Sequence, residues 1–166
     1  MTPAQTQRCT LLLSTIITLM ALTTSPTASA ADTPQTEVAT SDALAPARAL
    51  IAQGKWPEDV AALQKVNDSG NADWNNLMGY SLRKGKTPDL AGAERFYNAA
   101  LRINPKHRGA LEYSGELYLM LGDLPKAEAR LAELEKACRF GCEELTDLKD
   151  AVAQFKAKGS AAVVKP

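Results

Sequence analysis

Apolar residues recur at spacings of three and four along the chain from residue 43 to residue 158, with polar residues between them. This spacing predicts amphipathic helices, and the alternation of apolar and polar residues that is typical of a β-strand is absent. Glycines end three of the helical runs, and a proline that can open the next helix follows each one. These pairs are Gly54 with Pro57, Gly85 with Pro88, and Gly122 with Pro125. The pattern therefore predicts an all-α protein.

The helical runs form three helix-turn-helix hairpins, which are followed by a seventh helix. The first helices of the hairpins are predicted at residues 43–53, 72–84 and 107–121, and the second helices at residues 57–67, 89–103 and 124–138. In the seventh helix, residues 142–158, one stripe is apolar and consists of Leu145, Leu148, Val152 and Phe155. A helix of this kind buries its apolar stripe against a neighbour. We therefore expect the seventh helix to cap the last hairpin.

The three glycines that end the first helices recur at intervals of 31 and 37 residues, which bracket a repeat of about 34 residues. In the last hairpin, residues 108–138, the characteristic positions of such a repeat hold Leu111, Gly115, Tyr118, Gly122, Ala127, Leu131 and Leu134, the last of which is larger than the pattern expects. In the middle hairpin, residues 72–105, they hold Trp74, Leu77, Gly85, Ala93, Tyr97, Ala100 and Pro105. This pattern resembles the tetratricopeptide repeat (TPR) family, with residues 43–67 as a degenerate first repeat.

The resemblance implies a right-handed TPR-like helical solenoid, in which the first helix of each hairpin lines a concave groove. In that family, the groove binds a peptide or a helix of a partner protein. Transferred by register, the groove positions are Asn75, Gly79, Leu82 and Arg83 in the middle repeat, and Glu112, Glu116, Leu119 and Met120 in the last. The carboxylates of Glu112 and Glu116 would favour a basic or mixed partner segment.

The start of the chain has the pattern of a secretory signal peptide. A basic residue, Arg8, precedes the apolar stretch LLLSTIITLMAL, and small residues lie just before Ala31. The stretch is shorter than the spanning helix of about 20 apolar residues, although a retained membrane anchor stays the alternative. We predict a signal peptide at residues 1–30, a flexible linker at 31–42, the helical domain at 43–158 and a flexible tail at 159–166. The mature protein would be periplasmic or secreted, without membrane insertion.

Two cysteines remain after export, because Cys9 lies within the predicted signal peptide. An even number of cysteines in an oxidising compartment favours a disulfide between Cys138 and Cys142. Gly141 can take the left-handed conformation that ends a helix, so the bridge would join the last hairpin to its cap. The alternatives are a copper(I) site, since copper(I) accepts two thiolates, and a redox motif, which usually has two intervening residues. The segment CRFGCEELTDLKDAVAQFKAK also resembles the end of small exported bacterial TPR proteins.

The sequence offers few residues for catalysis or metal binding. His107 is the only histidine, and we expect it to start a helix rather than to act as a ligand or base. The motifs of phosphate loops, zinc proteases and serine hydrolases are absent. With 19 basic and 19 acidic residues, the chain has no positive field for nucleic acid. We therefore expect no catalytic residue, no metal and no cofactor, and a protein or peptide as the partner.

Overall fold

The structure is a computed structural model that describes residues 42–163, with side chains up to residue 159. The predicted signal peptide and nearly all of the predicted linker lie outside the described residues. Seven α-helices occupy this part of the chain: α1 (Ala45–Ala52), α2 (Trp56–Val66), α3 (Ala72–Lys84), α4 (Leu90–Ile103), α5 (Arg108–Met120), α6 (Leu124–Ala137) and α7 (Glu143–Val163). No β-strand occurs between residues 42 and 163, so the all-α prediction is confirmed for that range.

The helix positions agree closely with the sequence pattern. Each of the first six helices begins and ends within two residues of its predicted position. The last helix differs, because α7 continues to Val163 and makes residues 159–163 of the predicted tail helical. None of the described helices is both long and apolar enough to cross a lipid bilayer.

Side-chain caps define the starts of α3, α4 and α6. In each case a side-chain oxygen accepts a hydrogen bond from a backbone N–H group in the first turn, which contributes about 1 kcal/mol. The pairs are Asn71 with Trp74, Asp89 with Gly92, and Asp123 with Lys126. Short polar residues at these positions therefore explain why the helices begin where they do.

The predicted glycine and proline signals act in two different ways. Gly54 and Gly122 follow α1 and α5 with φ angles of 67° and 75°, a conformation that other residues rarely adopt. Gly85 ends α3 with a φ of −58°, so the left-handed conformation is not used there. Pro88 does not open α4, because Asp89 follows it as the N-cap residue. Only the outer two of the three turns therefore follow the predicted geometry.

The helices pack as three sequential pairs, which are α1 with α2, α3 with α4, and α5 with α6. The first helix of each pair also contacts the first helix of the next pair, and α7 contacts both α5 and α6. One apolar cluster joins the last pair to α7, and it includes Leu111, Leu134, Leu145, Leu148 and Val152. The apolar stripe of α7 therefore lies against the last pair, while Phe155 at its end is half-buried.

Two glycines within helices allow close contacts between neighbouring elements. A Cβ atom at Gly115 of α5 would lie 2.7 Å from the side chain of Leu148 on α7. Likewise, a Cβ atom at Gly79 of α3 would lie 2.8 Å from the ring of Tyr97 on α4. Carbon atoms in packed interiors stay about 3.5 to 4.0 Å apart, so a larger residue at either position would force the helices to separate.

Candidate partner-binding face

Two buried charged residues, Arg83 and Glu112, lie together with two tyrosine rings where α3 meets α5. We define the acidic-aromatic face as Tyr80 and Arg83 of α3 together with Glu112, Tyr113 and Glu116 of α5. Tyr80 lies three positions before Arg83, and Glu116 lies four positions after Glu112 and three after Tyr113, so helical geometry places the members of each pair on one side. Contact between α3 and α5 then brings the two sets together.

Arg83 is the centre of this face. The residue is 7% exposed, and its Nη2 atom lies 2.7 Å from Oε2 of Glu116. The guanidinium carbon also lies 5.6 Å from the centre of the Tyr80 ring and 5.5 Å from that of Tyr113. A buried cation is costly unless it is paired, and here one carboxylate and two ring faces compensate its charge.

The tyrosine rings continue as an aromatic row across the helices. The rings of Tyr80 and Tyr113 have their centres 4.7 Å apart, and Trp56 of α2 meets Tyr80 edge-on at 5.9 Å. Tyr97 of α4 lies 6.4 Å from Tyr113. Pairs in this range stabilise by about 0.5 to 1.5 kcal/mol beyond the area they bury. The row therefore stabilises the packing beneath the face.

Glu112 lies one helical turn before Glu116, yet its surroundings are different. The residue is 6% exposed, and no described residue donates a hydrogen bond or forms an ion pair with its carboxylate. The pKa of Glu112 is raised to about 8, chiefly by burial and then by the nearby carboxylates of Glu116, Asp147 and Glu144, against the lowering effect of Arg83. At neutral pH this carboxyl group is therefore mostly protonated.

A polar cavity of about 390 Å³ adjoins the face at the N-terminal ends of α3 and α5. It shares Tyr113 with the face and is also lined by Glu144 at the start of α7. Asn76, which lines the cavity from α3, has an enclosed Oδ1 atom that makes no hydrogen bond to any described residue. The cavity thus extends the polar surface from the middle of α5 to its first turn.

His107 forms the rim of that cavity and caps α5, as the sequence predicts. Its Nδ1 atom accepts a hydrogen bond of 3.1 Å from the backbone N–H of Ala110. The Nε2 atom lies 2.9 Å from Oδ1 of Asp73. Because Nδ1 is an acceptor, Nε2 carries the proton and donates to Asp73. Both ring nitrogens are therefore used to hold α5 against α3.

The predicted groove residues fall into two groups. Arg83, Glu112 and Glu116 meet on the acidic-aromatic face. Asn75 does not join them, because it is 2% exposed and its Nδ2 atom donates to the backbone carbonyls of Ser69 and Asn71. This amide therefore stabilises the turn before α3.

The other predicted groove residues are also placed elsewhere. Leu82 lines a separate cavity of about 720 Å³ beside the turn between α1 and α2. Gly79 is buried against Tyr97, and Leu119 packs against the apolar cluster under α7. Met120 is 54% exposed at the end of α5. None of these four residues belongs to the acidic-aromatic face.

Sequence reasoning missed Tyr80 and Tyr113, as well as the contribution of α7. One signal for the rings was available, because Tyr80 precedes Arg83 and Tyr113 precedes Glu116 by three positions each. No comparable signal connects Glu144 and Asp147 to Glu112, since that proximity depends on how α7 folds back over α5.

The predicted disulfide is present just before the N-terminal end of α7. The sulfur atoms of Cys138 and Cys142 are 2.13 Å apart, and their Cα atoms are 5.8 Å apart. Gly141 has a φ of 84°, and its N–H group donates a hydrogen bond of 2.9 Å to the carbonyl of Cys138. The bridge therefore closes the turn between α6 and α7, with Phe140 fully exposed at its tip.

Comparisons with known proteins add no family assignment. No protein-family model matches the chain, and no curated protein matches it significantly. The functional argument therefore depends on the geometry of the face.

Proposed function

We propose that this protein is an exported interaction module that binds a segment of another protein on the acidic-aromatic face. The scaffold we propose is a TPR-like solenoid of three helical pairs with α7 as its cap. The observed succession of contacts, α1 with α3, α3 with α5, and α5 with α7, supports this arrangement. It would place the first helix of each pair along one side of the molecule.

The observation that carries the proposal is the chemistry of the face. Tyrosine, tryptophan and arginine are the residues that contribute most to binding energy at protein interfaces. Here Tyr80, Tyr113 and Arg83 lie together, next to the buried carboxyl group of Glu112. Partly exposed tyrosine rings beside charged groups favour recognition of a polypeptide segment, because tyrosine has few rotatable bonds and loses little side-chain entropy on binding.

Export is the second part of the proposal, and the disulfide supports it. Disulfides persist in oxidising compartments and are rare in the cytosol. The bridge between Cys138 and Cys142 thus agrees with a periplasmic or secreted location.

The thiol-based alternative, a copper or redox function of Cys138 and Cys142, has a direct test. In this structure the two sulfur atoms are bonded to each other, so neither is a free thiolate ligand. Protein purified from its native compartment without reductant should contain no free thiols in a colorimetric assay. Two free thiols per chain would favour the copper hypothesis instead.

Site-specific photo-crosslinking tests the interaction proposal. A photoreactive amino acid replaces Lys84, an exposed residue whose Nζ atom lies 6.0 Å from the centre of the Tyr80 ring. The matched control carries it at Lys136, which is exposed on α6. After irradiation of cells that export the protein, we expect a discrete adduct from position 84 and none from position 136. No adduct from position 84, or equal adducts from both, would contradict the proposal.

A further inference from the structure

The two carboxylates of α5 that face α3 differ in one respect. Glu116 is neutralised by Arg83 at 2.7 Å. Glu112, one turn earlier, has no cation and no hydrogen-bond donor among the described residues, although it is 6% exposed. An unpartnered buried polar group of this kind costs free energy in the folded protein. The face therefore contains one satisfied acidic position and one unsatisfied one.

The unsatisfied position still reaches the surface. Neither carboxylate oxygen of Glu112 is fully enclosed. In this respect they differ from Arg83 Nε and the Tyr97 hydroxyl, which are enclosed and have no hydrogen-bond partner in the described part of the chain. The carboxyl group of Glu112 is thus reachable by an incoming donor. Two of the groups that raise its pKa, Glu144 and Asp147, belong to α7, so negative charge approaches it from a second helix.

The spacing of these carboxylates argues against a single metal ion as their ligand. Within residues 42–159, the one group of three residues whose ligand atoms converge is Cys138, Cys142 and Glu144, and its two sulfurs are bonded to each other. A guanidinium or ammonium group carries several N–H donors and can therefore contact oxygens that lie further apart. The guanidinium group of Arg83 already occupies such an environment beside Glu116.

We propose that Glu112 is the binding site for a cationic side chain, arginine or lysine, of the partner segment, which would lie beside Arg83 and next to Tyr113. This inference rests on the proposed function of the face. In the complex, Glu112 and Glu116 would each hold one cation, Glu116 from within the protein and Glu112 from the partner. The site would thus select a basic residue at one position of the bound segment.

Binding of a cation requires the ionised form of Glu112, so affinity should depend on pH. The groups that face Glu112 are Arg83 from α3, Glu116 from α5, and Glu144 and Asp147 from α7. With a pKa of about 8 for Glu112, the ionised fraction rises from near zero at about pH 6 to most of the protein at about pH 9. Arginine stays charged throughout, so an arginine ligand reports the ionisation of Glu112 alone.

The test is an NMR titration of the isotope-labelled protein with two blocked tripeptides. One is N-acetyl-Ala-Arg-Ala-amide, and the other has citrulline, the neutral isostere of arginine. At about pH 9 we expect the arginine peptide to bind about tenfold more tightly, with shifts centred on Glu112 and Tyr113. Its affinity should fall about tenfold or more at about pH 6. Equal binding of the two peptides would overturn the inference.

Two variants separate this site from general attraction of positive charge. Glu112→Gln keeps the shape of the side chain and should abolish the preference for arginine over citrulline. The matched control is Glu135→Gln on α6, an exposed carboxylate paired with Lys149 at 3.0 Å, and it should leave the preference unchanged. If both variants weaken binding equally, the attraction is not localised at Glu112 and the inference is wrong.

The inference and the proposed function can fail separately. If photo-crosslinking from position 84 captures a partner but Glu112→Gln captures it equally well, the interaction function stands and the cation site is wrong. If the crosslink is absent while the arginine preference depends on Glu112, the cation site stands and the interaction function is wrong.

Discussion

One helix, α5, meets its two neighbours through different chemistry. Towards α7 it presents Leu111 and Gly115, and the fully buried Leu148 fills the space above them. Towards α3 it presents Glu116, Tyr113 and Glu112. The apolar contact removes hydrocarbon from water, whereas the polar contact leaves Glu112 without a partner among the described residues. We infer that the α5–α7 contact supplies stability, whereas the proposed recognition depends on the α3–α5 contact.

The largest effect should follow from breaking the apolar contact. Leu148→Ala leaves a cavity beside Gly115 and should lower the free energy of unfolding by about 2 to 5 kcal/mol, measured by urea denaturation. Phe155→Ala, in the half-buried last part of the stripe, should lower the melting temperature by less. A loss below about 1 kcal/mol for Leu148→Ala would contradict the inference that the α5–α7 contact is the main source of stability.

The next largest effect concerns the disulfide between Cys138 and Cys142, which precedes α7. Replacing Cys138 and Cys142 by serine opens a five-residue loop and should cost about 2 kcal/mol on the chain-entropy model. The loss should be matched by adding a reductant to the wild-type protein, and the serine variant should not respond to it. A reductant effect that persists in the serine variant would show that the disulfide is not its cause.

A smaller and opposite effect is expected in the polar contact. The folded state favours the protonated form of Glu112, since its pKa is raised from 4.5 to about 8. Its contribution to stability is therefore fully present below about pH 4.5 and is lost as the pH rises towards about 8. Glu112→Gln has no group that ionises at this position, so its stability does not fall in the same way. Between these pH limits its free energy of unfolding should therefore rise relative to that of wild type by on the order of 1 kcal/mol, after a discount for solvent screening.

Thermal melts at about pH 5 and about pH 9 measure this gain as a difference between the two proteins. Glu135→Gln serves as the control, because its carboxylate is exposed and the variant should follow wild type at both pH values. A constant difference between Glu112→Gln and wild type across the range would show that Glu112 ionises normally in the folded state.

The smallest effect is expected outside both contacts. Phe140 is fully exposed at the tip of the disulfide turn, so Phe140→Ser should change the free energy of unfolding by less than about 0.5 kcal/mol. Urea denaturation of the variant and of wild type gives this value. A loss comparable to that of Leu148→Ala would mean that the ring packs against the protein in solution.

Local signals explain why the helices and the disulfide could be predicted. Asn71, Asp89 and Asp123 bond to backbone groups three residues away, so sequence neighbours alone determine where those helices start. The disulfide was predictable for a similar reason, since Gly141 lies between the cysteines and turns the chain within the loop.

The face was less predictable, because it depends on contacts between distant residues. Register alone gave Asn75 a place in the groove, but the carbonyls of Ser69 and Asn71 take up its amide. Register did identify Glu112 and Glu116 as neighbours. It could not show that Arg83 pairs with only one of them, since that choice depends on the relative position of α3 and α5.

The ion pair between Arg83 and Glu116 also sets a condition on any ligand. Arg83 is attached to the protein, so its effective concentration at Glu116 is on the order of millimolar or higher at all times. A free cation that approaches Glu116 must exchange with this tethered competitor, whereas a cation at Glu112 adds without displacing anything among the described residues. If Glu112 binds a cation as proposed, competition from Arg83 would therefore favour Glu112 over Glu116 as the binding position.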